Sequence, residues 1–430
     1  MHPTCLPVGR HARLIHLSTD AFKSEMLSVA FLLPLSAEQV QKNIMLLALS
    51  KRGTVAYPTR AQLNRHLDEL YSTTMTTIQG RLGDREMLGH SADFLGARYV
   101  GGNGLLPDVI STISDFLQRP YMTDAGQYRT DYVESEKRDL TDAIRAEINN
   151  PRAYAAARCR ELLCAGEPYA LSILGQESDV AAIDPAGLTA RMQVWQHELA
   201  PIFCYVGSEP AREVAKRLSD AFDTFGGAGT PYTVVTKSGR ETVKKEETMP
   251  LSQGKLSLGF RLDLPDVEEW APALVVFNEI YGASSASKLF LNVREKRSLC
   301  YHCSSTVDLR KGILFAGSGM KPANRAVTEE AMLEEMKHIG DGDISDVEWE
   351  AAMRTLAHSY RQIYDAPSAL ARFYTSRALR ERDETIEMWR DRVLSVTRAQ
   401  VVEIAQHLYL RAVFFLCGNG EEPEEADNEA

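Results

Sequence analysis

The feature of this sequence that most constrains its fold is an internal repeat. Residues 147–163 (EINNPRAYAAARCRELL) match residues 362–379 (QIYDAPSALARFYTSRAL), since each has a proline break followed by a segment rich in alanine and arginine. Each half of the sequence also closes alike, because residues 202–207 (IFCYVG) and 413–418 (VFFLCG) are both apolar runs that end in glycine after a helical segment. A chain that repeats one order of elements is expected to fold as repeated units, so the repeat predicts a duplicated architecture.

The order of predicted elements supports the same conclusion. Alternating or apolar runs predict strands, helical spacing predicts helices, and a glycine between two strand-like runs predicts a hairpin. The first half has strands within 13–34, helices over 36–50 and 59–71, a hairpin of 73–81 and 85–94, and long helices over 135–149 and 152–165. The second half has a strand over 255–262, a helix over 271–281, a hairpin within 301–320 and further long helices. We therefore expect the α+β class, with two homologous αβ domains in which helices pack on mostly antiparallel sheets.

Composition along the chain predicts the domain boundaries. Residues 227–249 are rich in glycine, threonine and lysine and poor in core residues, which is typical of an interdomain linker. This linker would separate an N-terminal domain, residues 1–226, from a C-terminal domain, residues 250–417. Residues 418–430 contain six acidic residues, two glycines and a proline, which predicts a solvated, disordered tail.

Overall composition narrows the classes of function. The 430 residues carry 48 Lys+Arg against 59 Asp+Glu, and the formal net charge of −11 without a basic stripe argues against nucleic-acid binding. The longest apolar runs fall short of the roughly 20 residues that a helix needs to cross a bilayer, and the first ten residues lack the pattern of an export signal. The seven scattered cysteines are unlike a disulfide framework. We expect a cytoplasmic protein with no nucleic-acid or membrane partner.

The most specific pattern lies in residues 287–320 (SKLFLNVREKRSLCYHCSSTVDLRKGILFAGSGM). Its part from Phe290 to Tyr301 resembles the pitrilysin and insulinase zinc peptidases, in particular the branch similar to the mitochondrial processing peptidase. That family has glycine and alanine where this chain has Ser298 and Cys300. The resemblance covers nearly the whole chain. It implies a duplicated αβ fold that forms one half of a clamshell around a peptide.

The resemblance also implies a zinc motif, which this chain lacks. Members carry His-x-x-Glu-His on an early helix and a distant glutamate ligand on another helix. Two imidazoles one helical turn apart bind zinc, and the glutamate between them activates the metal-bound water. Counting back from the segment Lys51-Arg52-Gly53-Thr54, and forward from Glu136-Lys137-Arg138-Asp139, places the ligand and base positions at Ile44, Leu47, Ala48 and Ala143, with Met45 and Leu46 between them. Apolar side chains neither bind zinc nor transfer protons, so we expect no metal and no cofactor in this chain.

Two other patterns look like metal sites without a full set of ligands. The segment from His66 to Leu70 (HLDEL) begins like the zinc motif but has leucine in place of the second histidine, and we interpret it as the solvated face of a helix. Cys300 and Cys303 have no second cysteine pair. On a strand their side chains would point to opposite faces, so we interpret them as structural or incidental.

Arg294 and Tyr301 match the arginine and tyrosine that the second half of the family's fold contributes to the active site. A guanidinium can hold a peptide carbonyl, and a phenol can donate to the oxyanion of a tetrahedral intermediate, without either group touching metal. From the residues alone, Arg294 could equally lie on a solvated helix end, and Tyr301 could simply begin a strand. The resemblance favours contact with the substrate.

In paired family members one subunit carries zinc and the other lacks the motif, and this chain resembles the latter. We therefore predict a non-zinc-binding subunit of a heterodimeric zinc peptidase, inactive alone, whose motif-bearing partner holds the zinc. A homodimer is the alternative assembly, and peptides or precursors are the expected substrates. Three other interpretations remain open: an inert assembly subunit, a peptide-binding protein of the same fold, and an unrelated hydrolase. The last is disfavoured because no Gly-x-Ser-x-Gly pattern is present.

Overall fold

The computed structural model describes residues 2–418 apart from positions 101, 103, 230–233, 238, 240 and 379–383. The predicted tail therefore lies outside the described residues beyond Gly418. The strands of the described part are β1 (Thr4–Val8), β2 (Ala12–Ser18), β3 (Ser24–Pro34), β4 (Thr74–Leu82), β5 (Arg85–Leu95), β6 (Ile202–Gly207), β7 (Val243–Met249), β8 (Gly254–Leu262), β9 (His302–Asp308), β10 (Ile313–Met320) and β11 (Leu408–Gly418).

The α-helices of the described part are α1 (Val40–Leu49), α2 (Arg60–Glu69), α3 (Ala97–Val100), α4 (Leu106–Gln118), α5 (Thr130–Ala146), α6 (Pro151–Leu163), α7 (Glu177–Val180), α8 (Pro185–Glu198), α9 (Ala211–Ala221), α10 (Val267–Asn278), α11 (Arg325–Gly340), α12 (Asp346–Gln362), α13 (Pro367–Ala378), α14 (Ile386–Leu394) and α15 (Arg398–His407). Two segments of π-helix, Glu279–Ala283 and Leu289–Lys296, follow α10.

Each of the two compact units of the chain is built around one sheet. In the first unit the strand order is β1-β2-β6-β3-β5-β4, and in the second it is β7-β11-β8-β10-β9. In each unit one neighbouring pair is parallel, β2 with β6 and β7 with β11, and the other pairs are antiparallel. Apart from the extra β1, the two sheets have the same strand order and the same strand directions. The predicted α+β class is confirmed, and the matching topologies are what a duplication produces.

The two units exchange helical segments. The first comprises residues 1–145, 171–233 and 361–386, and the second comprises residues 146–170, 234–360 and 387–430. Helix α6, from the first half of the sequence, therefore lies on β8 and β11 of the second unit, whereas α13, from the second half, lies on β3 and β6 of the first. The predicted domains, 1–226 and 250–417, were each one continuous segment, so they differ from the observed units in the placement of α6 and α13.

Apolar packing explains why α6 belongs to the second unit. Its residues Ala155, Cys159 and Leu163 share a buried cluster with Phe414 of β11. The helix comes so close to the sheet that a Cβ atom at Gly259 would lie 3.2 Å from both Cys159 Sγ and a methyl of Leu163. Asn150 caps this helix, since its side chain accepts a hydrogen bond from the backbone N–H of Ala153 at 3.1 Å, and a proline occupies the first turn.

Several predicted elements form with nearly the expected bounds. Thr59 and Gln62 make a reciprocal capping box at the start of α2, which satisfies backbone N–H groups that a helix leaves without partners. The two predicted hairpins form as β4–β5 and β9–β10, and they turn at Gly83 and Gly312, whose φ angles are both +59°. Positive φ is accessible to glycine at little steric cost, which is why these turns were visible in the sequence.

The predicted linker needs a correction. The segment Val243–Met249 is strand β7 at the edge of the second sheet, paired in parallel with β11. Charged side chains on an exposed edge strand resemble linker composition, and they also hinder unwanted pairing with other chains. Positions 230–233, 238 and 240 of the predicted linker lie outside the described residues.

Candidate functional site

The positions that match the zinc motif lie on α1. Met45, Leu46 and Leu47 are buried, and Ile44 and Ala48 are partly buried. The helix thus uses this stretch to pack against the core of the first unit. Ala143, the position of the distant ligand, is exposed on α5. These side chains cannot hold zinc, and within the described residues no group of three or more histidine, cysteine, aspartate or glutamate residues is placed to hold a metal.

The two segments used to locate these positions are joined by ion pairs in the first unit. Arg52, just beyond the end of α1, contacts Glu136 and lies 2.8 Å from the Asp139 carboxylate, both on α5. It also donates to Ser135 Oγ at 3.1 Å. These contacts join α5 to the turn that follows α1.

A buried polar network surrounds the start of α1. Asn43 donates to Glu86 and accepts hydrogen bonds from Arg191 at 2.7 Å and Trp195 at 3.1 Å. Burial raises the pKa of Glu86 to about 8, although the contact with Asn43 and the charge of Arg191 oppose this shift. The network joins α1 to β5 and α8, and it was not foreseen from the sequence because its members lie up to 152 residues apart.

The histidine that begins the incomplete zinc motif has a packing role. His66 stacks on Tyr57 with ring centroids 4.2 Å apart, and its two ring nitrogens lie 3.0 Å from Tyr57 Oη and 3.2 Å from Thr112 Oγ1. Both nitrogens are thus engaged within the fold. His66 is partly buried rather than on a solvated face, and the expected structural role agrees with these contacts.

Arg294 and Tyr301 lie together in the second unit. The Nε atom of Arg294, on a π-helical turn, donates to the backbone carbonyl of Tyr301 at 2.9 Å. The Arg294 guanidinium also lies over the Phe290 ring, 4.6 Å from its centroid, and 3.2 Å from the Glu295 carboxylate. The backbone N–H of Tyr301 donates to Gly319 at 2.8 Å, which anchors it at the start of β9 while its side chain remains 50% exposed.

These two residues share a surface cavity of about 540 Å³. Lys321 and Asn324, just after β10, also line it. The Asn324 amide donates to the carbonyl of Leu299 at 3.1 Å, which holds the loop between Arg294 and Tyr301. The cavity therefore offers a guanidinium, an ammonium group and a phenol, the kinds of donor that can bind carbonyl or carboxylate oxygens.

Comparisons with known proteins show which proteins the chain is similar to. A family model described as the peptidase M16 inactive domain matches residues 192–356. A curated relative, the probable inactive metalloprotease YmfF of Bacillus subtilis (strain 168), is 26% identical over 408 residues, which cover 94% of this chain and 95% of that protein. The chain is thus similar to M16, or pitrilysin, peptidases, with the family model over residues 192–356 and the likeness to YmfF over nearly the whole chain.

Solved structures of M16-like proteins share the fold. A conserved protein from Enterococcus faecalis V583 matches with a TM-score of 0.89 and 23% identity, covering 98% of this chain and 100% of that one. A peptidase M16 inactive domain from Pseudomonas fluorescens matches with a TM-score of 0.78 and 16% identity, again covering 98% and 100%. The resemblance inferred from Phe290 to Tyr301 is thus confirmed at the level of family and fold.

A second cavity, of about 230 Å³, lies between α6 and the second sheet. Arg152, Lys255 and His302 line it, and Arg152 donates to Ser304 Oγ at 2.8 Å. Burial, together with the charges of Arg152, Lys255 and Arg294, lowers the pKa of His302 to about 4. Arg152 was not foreseen as a neighbour of His302, because α6 comes from the other half of the chain.

The structure also corrects the interpretation of the cysteine pair. Cys300 precedes β9, whereas Cys303 lies within it, so the alternation of a strand does not apply. Cys303 is buried and Cys300 is partly exposed. The argument from strand alternation therefore does not apply to Cys300.

Within the described residues, no helix is long and apolar enough to cross a membrane.

Proposed function

We propose that this protein is the non-zinc-binding subunit of a heterodimeric zinc peptidase. In this proposal the chain binds a peptide and stabilises the transition state of cleavage through Arg294 and Tyr301, in trans to a partner that carries His-x-x-Glu-His. The observation that carries the proposal is the shared cavity: a guanidinium and a half-exposed phenol line one opening and are joined by a hydrogen bond from Arg294 to the Tyr301 backbone.

The chemistry of the two side chains suits this role. The Arg294 guanidinium donates from Nε to the Tyr301 carbonyl, and its Nη1 lies 3.2 Å from the Glu295 carboxylate. These contacts orient the group, and the N–H groups of Nη2 can then donate to a peptide carbonyl. The Tyr301 hydroxyl can donate to the oxyanion that develops when the carbonyl is attacked. Removal of one donor that is positioned in advance at a developing charge typically lowers turnover by about 10²–10³-fold.

The residues of α1 explain why this proposal places the zinc and the general base in the partner subunit. Its motif positions present methyl and methylene groups where the chemistry needs two imidazoles and a carboxylate, so zinc and the general base would come from the partner. In this proposal the side chains of Ile44, Leu47 and Ala48 take no part in the reaction. The proposal includes a cytoplasmic location, with which the seven scattered cysteines agree.

Reconstitution tests the proposal directly. The purified full-length chain, a motif-bearing M16 relative from the same organism, and their mixture are assayed with a library of quenched fluorescent peptides, and zinc is measured in each sample. We expect cleavage in the mixture to exceed the sum of the separate activities, with one zinc per pair. Zinc-dependent cleavage by this chain alone would overturn the proposal.

An inert assembly subunit of the same fold is the alternative, and it also predicts a complex. It differs in requiring the interface but neither cavity residue, so the substitutions of Arg294 and Tyr301 described in the Discussion distinguish the two roles. A peptide-binding protein would instead retain peptides without any partner, which fluorescence anisotropy on the isolated chain would detect.

A further inference from the structure

Two glycines of β10 leave open space on the face of the second sheet that α6 covers. Gly259 of β8 faces Cys159 of α6, and the β10 residue paired with Gly259 is Phe315. Because alternate residues of a strand share a face, Gly317 and Gly319 lie on this same face. Neither glycine has a side chain to fill the space, and a cavity of about 230 Å³ lies there. We call this cavity the β10 trough.

Basic side chains from three elements converge on the β10 trough. Lys255 of β8 and His302 of β9 are both paired with Gly319, so the three residues form one row across the sheet. A Cβ atom at Gly319 would clash with His302 Cε1 and would lie 3.1 Å from Lys255 Nζ. The two side chains therefore lean over the glycine from opposite sides. Arg152, in the first turn of α6, lines the same cavity.

Hydrogen bonds orient two of these basic groups. Arg152 Nη2 donates to Ser304 Oγ at 2.8 Å, and Lys255 Nζ donates to Gln253 Oε1 at 2.9 Å. Both acceptors are neutral, so the contacts position the cations without neutralising their charge. A guanidinium has five N–H donors and an ammonium has three, so each group keeps donors for a ligand.

The charges that act on His302 all have the same sign. Burial lowers the pKa of His302 to about 4, and three positive charges act in the same direction. They belong to Arg152, Lys255 and Arg294. Burial, and then the charge of Arg152, also lowers the pKa of Lys255. Like charges held close together repel each other, and the positive end of the α6 dipole lies at the same place, so an anion in the β10 trough would be stabilised.

We propose that the β10 trough binds a carboxylate of a peptide ligand, with Lys255, His302 and Arg152 as its donors. The choice of a peptide rests on the proposed function, whereas the selection of an anion follows from the trough itself. A guanidinium matches the planar geometry of a carboxylate, and charge-assisted hydrogen bonds are stronger than neutral ones. The carboxylate comes from the C-terminus of the peptide or from an acidic side chain, and the test separates these two sources.

The experiment measures binding to the isolated full-length chain by fluorescence anisotropy. The first two probes are labelled pools of octapeptides of randomised sequence without acidic residues, one with a free C-terminal carboxylate and one with a C-terminal amide. The second two are amidated pools that carry one glutamate or one glutamine at a central position. We expect the carboxylate form of at least one pair to bind about tenfold or more tightly than its neutral form. Equal binding within both pairs would overturn the proposal.

Two variants test whether the β10 trough is the place of binding. Lys255→Met removes one cation and should weaken carboxylate binding about tenfold. Gly317→Val fills the trough without strain, because a Cβ there would lie 3.8 Å from the Leu256 carbonyl, and it should weaken binding similarly. The control Lys337→Met removes the same charge from an exposed position on α11 and should bind normally. A carboxylate preference that survives both trough variants, each shown by circular dichroism to be folded, would overturn the proposal.

The His302 ring gives a second readout. In the ¹³C-histidine-labelled chain, with the signal assigned from His302→Gln, the bound carboxylate should raise the pKa of His302, because an anion stabilises the imidazolium. His407, which contacts the Glu403 carbonyl, is the internal control and should not shift. An unchanged His302 titration in the presence of bound peptide would overturn the proposal. So would displacement of all four pools by inorganic phosphate without any preference for carboxylate.

These measurements need no peptidase partner, so their outcome can be separated from that of the reconstitution. Absence of cleavage in the mixture, together with carboxylate-selective binding in the β10 trough, would overturn the proposed peptidase role alone. Cleavage in the mixture without carboxylate selectivity would overturn the trough proposal alone.

Discussion

Glu167 and Lys311 form a buried ion pair in the second unit, with the carboxylate oxygen 3.0 Å from the ammonium nitrogen and both side chains at most 1% exposed. Arg261 lies 2.6 Å from the same carboxylate. Glu167 follows α6, whereas Arg261 and Lys311 belong to β8 and to the turn of the β9–β10 hairpin. The pairing therefore joins the exchanged helical segment to the sheet of the unit that receives it.

Replacement of Glu167 should destabilise the second unit strongly. Glu167→Gln leaves Lys311 and Arg261 without their shared carboxylate in a buried place, which typically costs about 3–5 kcal/mol in the free energy of unfolding. Urea unfolding followed by circular dichroism measures the loss. The matched control is Asp346→Asn, which removes an exposed partner of Arg398 and should cost less than about 1 kcal/mol. Equal losses in the two variants would contradict the structural role of the buried cluster.

Arg294 and Tyr301 should affect different kinetic parameters in the reconstituted peptidase. We expect Tyr301→Phe to lower kcat about 100-fold with little change in KM, because the phenol acts on charge that develops only in the transition state. Arg294→Ala should mainly raise KM, because a bound carbonyl is present in both the ground state and the transition state. Both parameters come from initial rates with one fluorogenic peptide.

Arg297→Ala provides the control for these substitutions. Arg297 has almost the same exposure as Arg294, but it pairs with Glu334 at 2.7 Å rather than with Tyr301. We expect its kcat and KM to stay within about twofold of the unmodified complex. Unchanged turnover in both the Arg294 and Tyr301 variants, with the complex intact on a sizing column, would instead favour the assembly role.

A side chain at Gly259 should weaken the packing of α6 on its sheet. The methyl of Gly259→Ala would lie 3.2 Å from Cys159 Sγ, and the larger Gly259→Val would force the helix outward, at an expected cost of about 1–3 kcal/mol. Thermal unfolding of both variants tests this. Gly317→Ala on β10 is the control, because its Cβ would meet only the Leu256 carbonyl at 3.8 Å. A stable Gly259→Val variant would show that α6 does not need this close approach.

Glu86→Gln should change how stability depends on pH. The pKa of Glu86 is raised from 4.5 to about 8 by burial, so the folded chain binds a proton that the unfolded chain has released. The Glu86 contribution therefore favours folding below about pH 4.5 and is lost as the pH rises toward 8. Glutamine resembles the protonated acid and does not titrate. The variant should gain stability relative to the original chain by up to about 1.4 kcal/mol per pH unit in that window.

Urea unfolding of both chains at pH 5, 6.5 and 8 measures this difference, and subtraction removes the titrations that the two share. His90, whose pKa burial lowers to about 3, is one of these. Its contribution has the opposite sign, because stability is lost as the pH falls from 6.5 toward 3. A difference that does not change with pH would show that Glu86 ionises normally in the folded chain.

The features that were predictable from the sequence depend on local pattern. Glycines at the turns, capping residues such as Thr59, and apolar spacing each act over a few residues, so the hairpins and many helices formed nearly where they were expected. Once the resemblance had placed the zinc motif at Ile44, Leu47 and Ala48, the lack of histidine and glutamate at these positions could be read directly from the sequence.

The features that were missed depend on contacts between distant residues. Strand β7 looked like a linker because its pairing with β11 leaves charged side chains exposed at an edge. The Asn43 network and the approach of Arg152 to His302 join residues more than 100 positions apart or from different halves.

The sequence by itself determined the duplication and the α+β class, because both follow from residue type and from periodicity within short segments. The lack of zinc ligands at the motif positions follows from the family resemblance, which supplies those positions. Only the tertiary structure decided that α6 and α13 are exchanged between the units and that Arg294 and Tyr301 share a cavity. The physical reason is that buried area, shape and hydrogen bonding between distant segments select these contacts, and such selection leaves no local pattern in the chain.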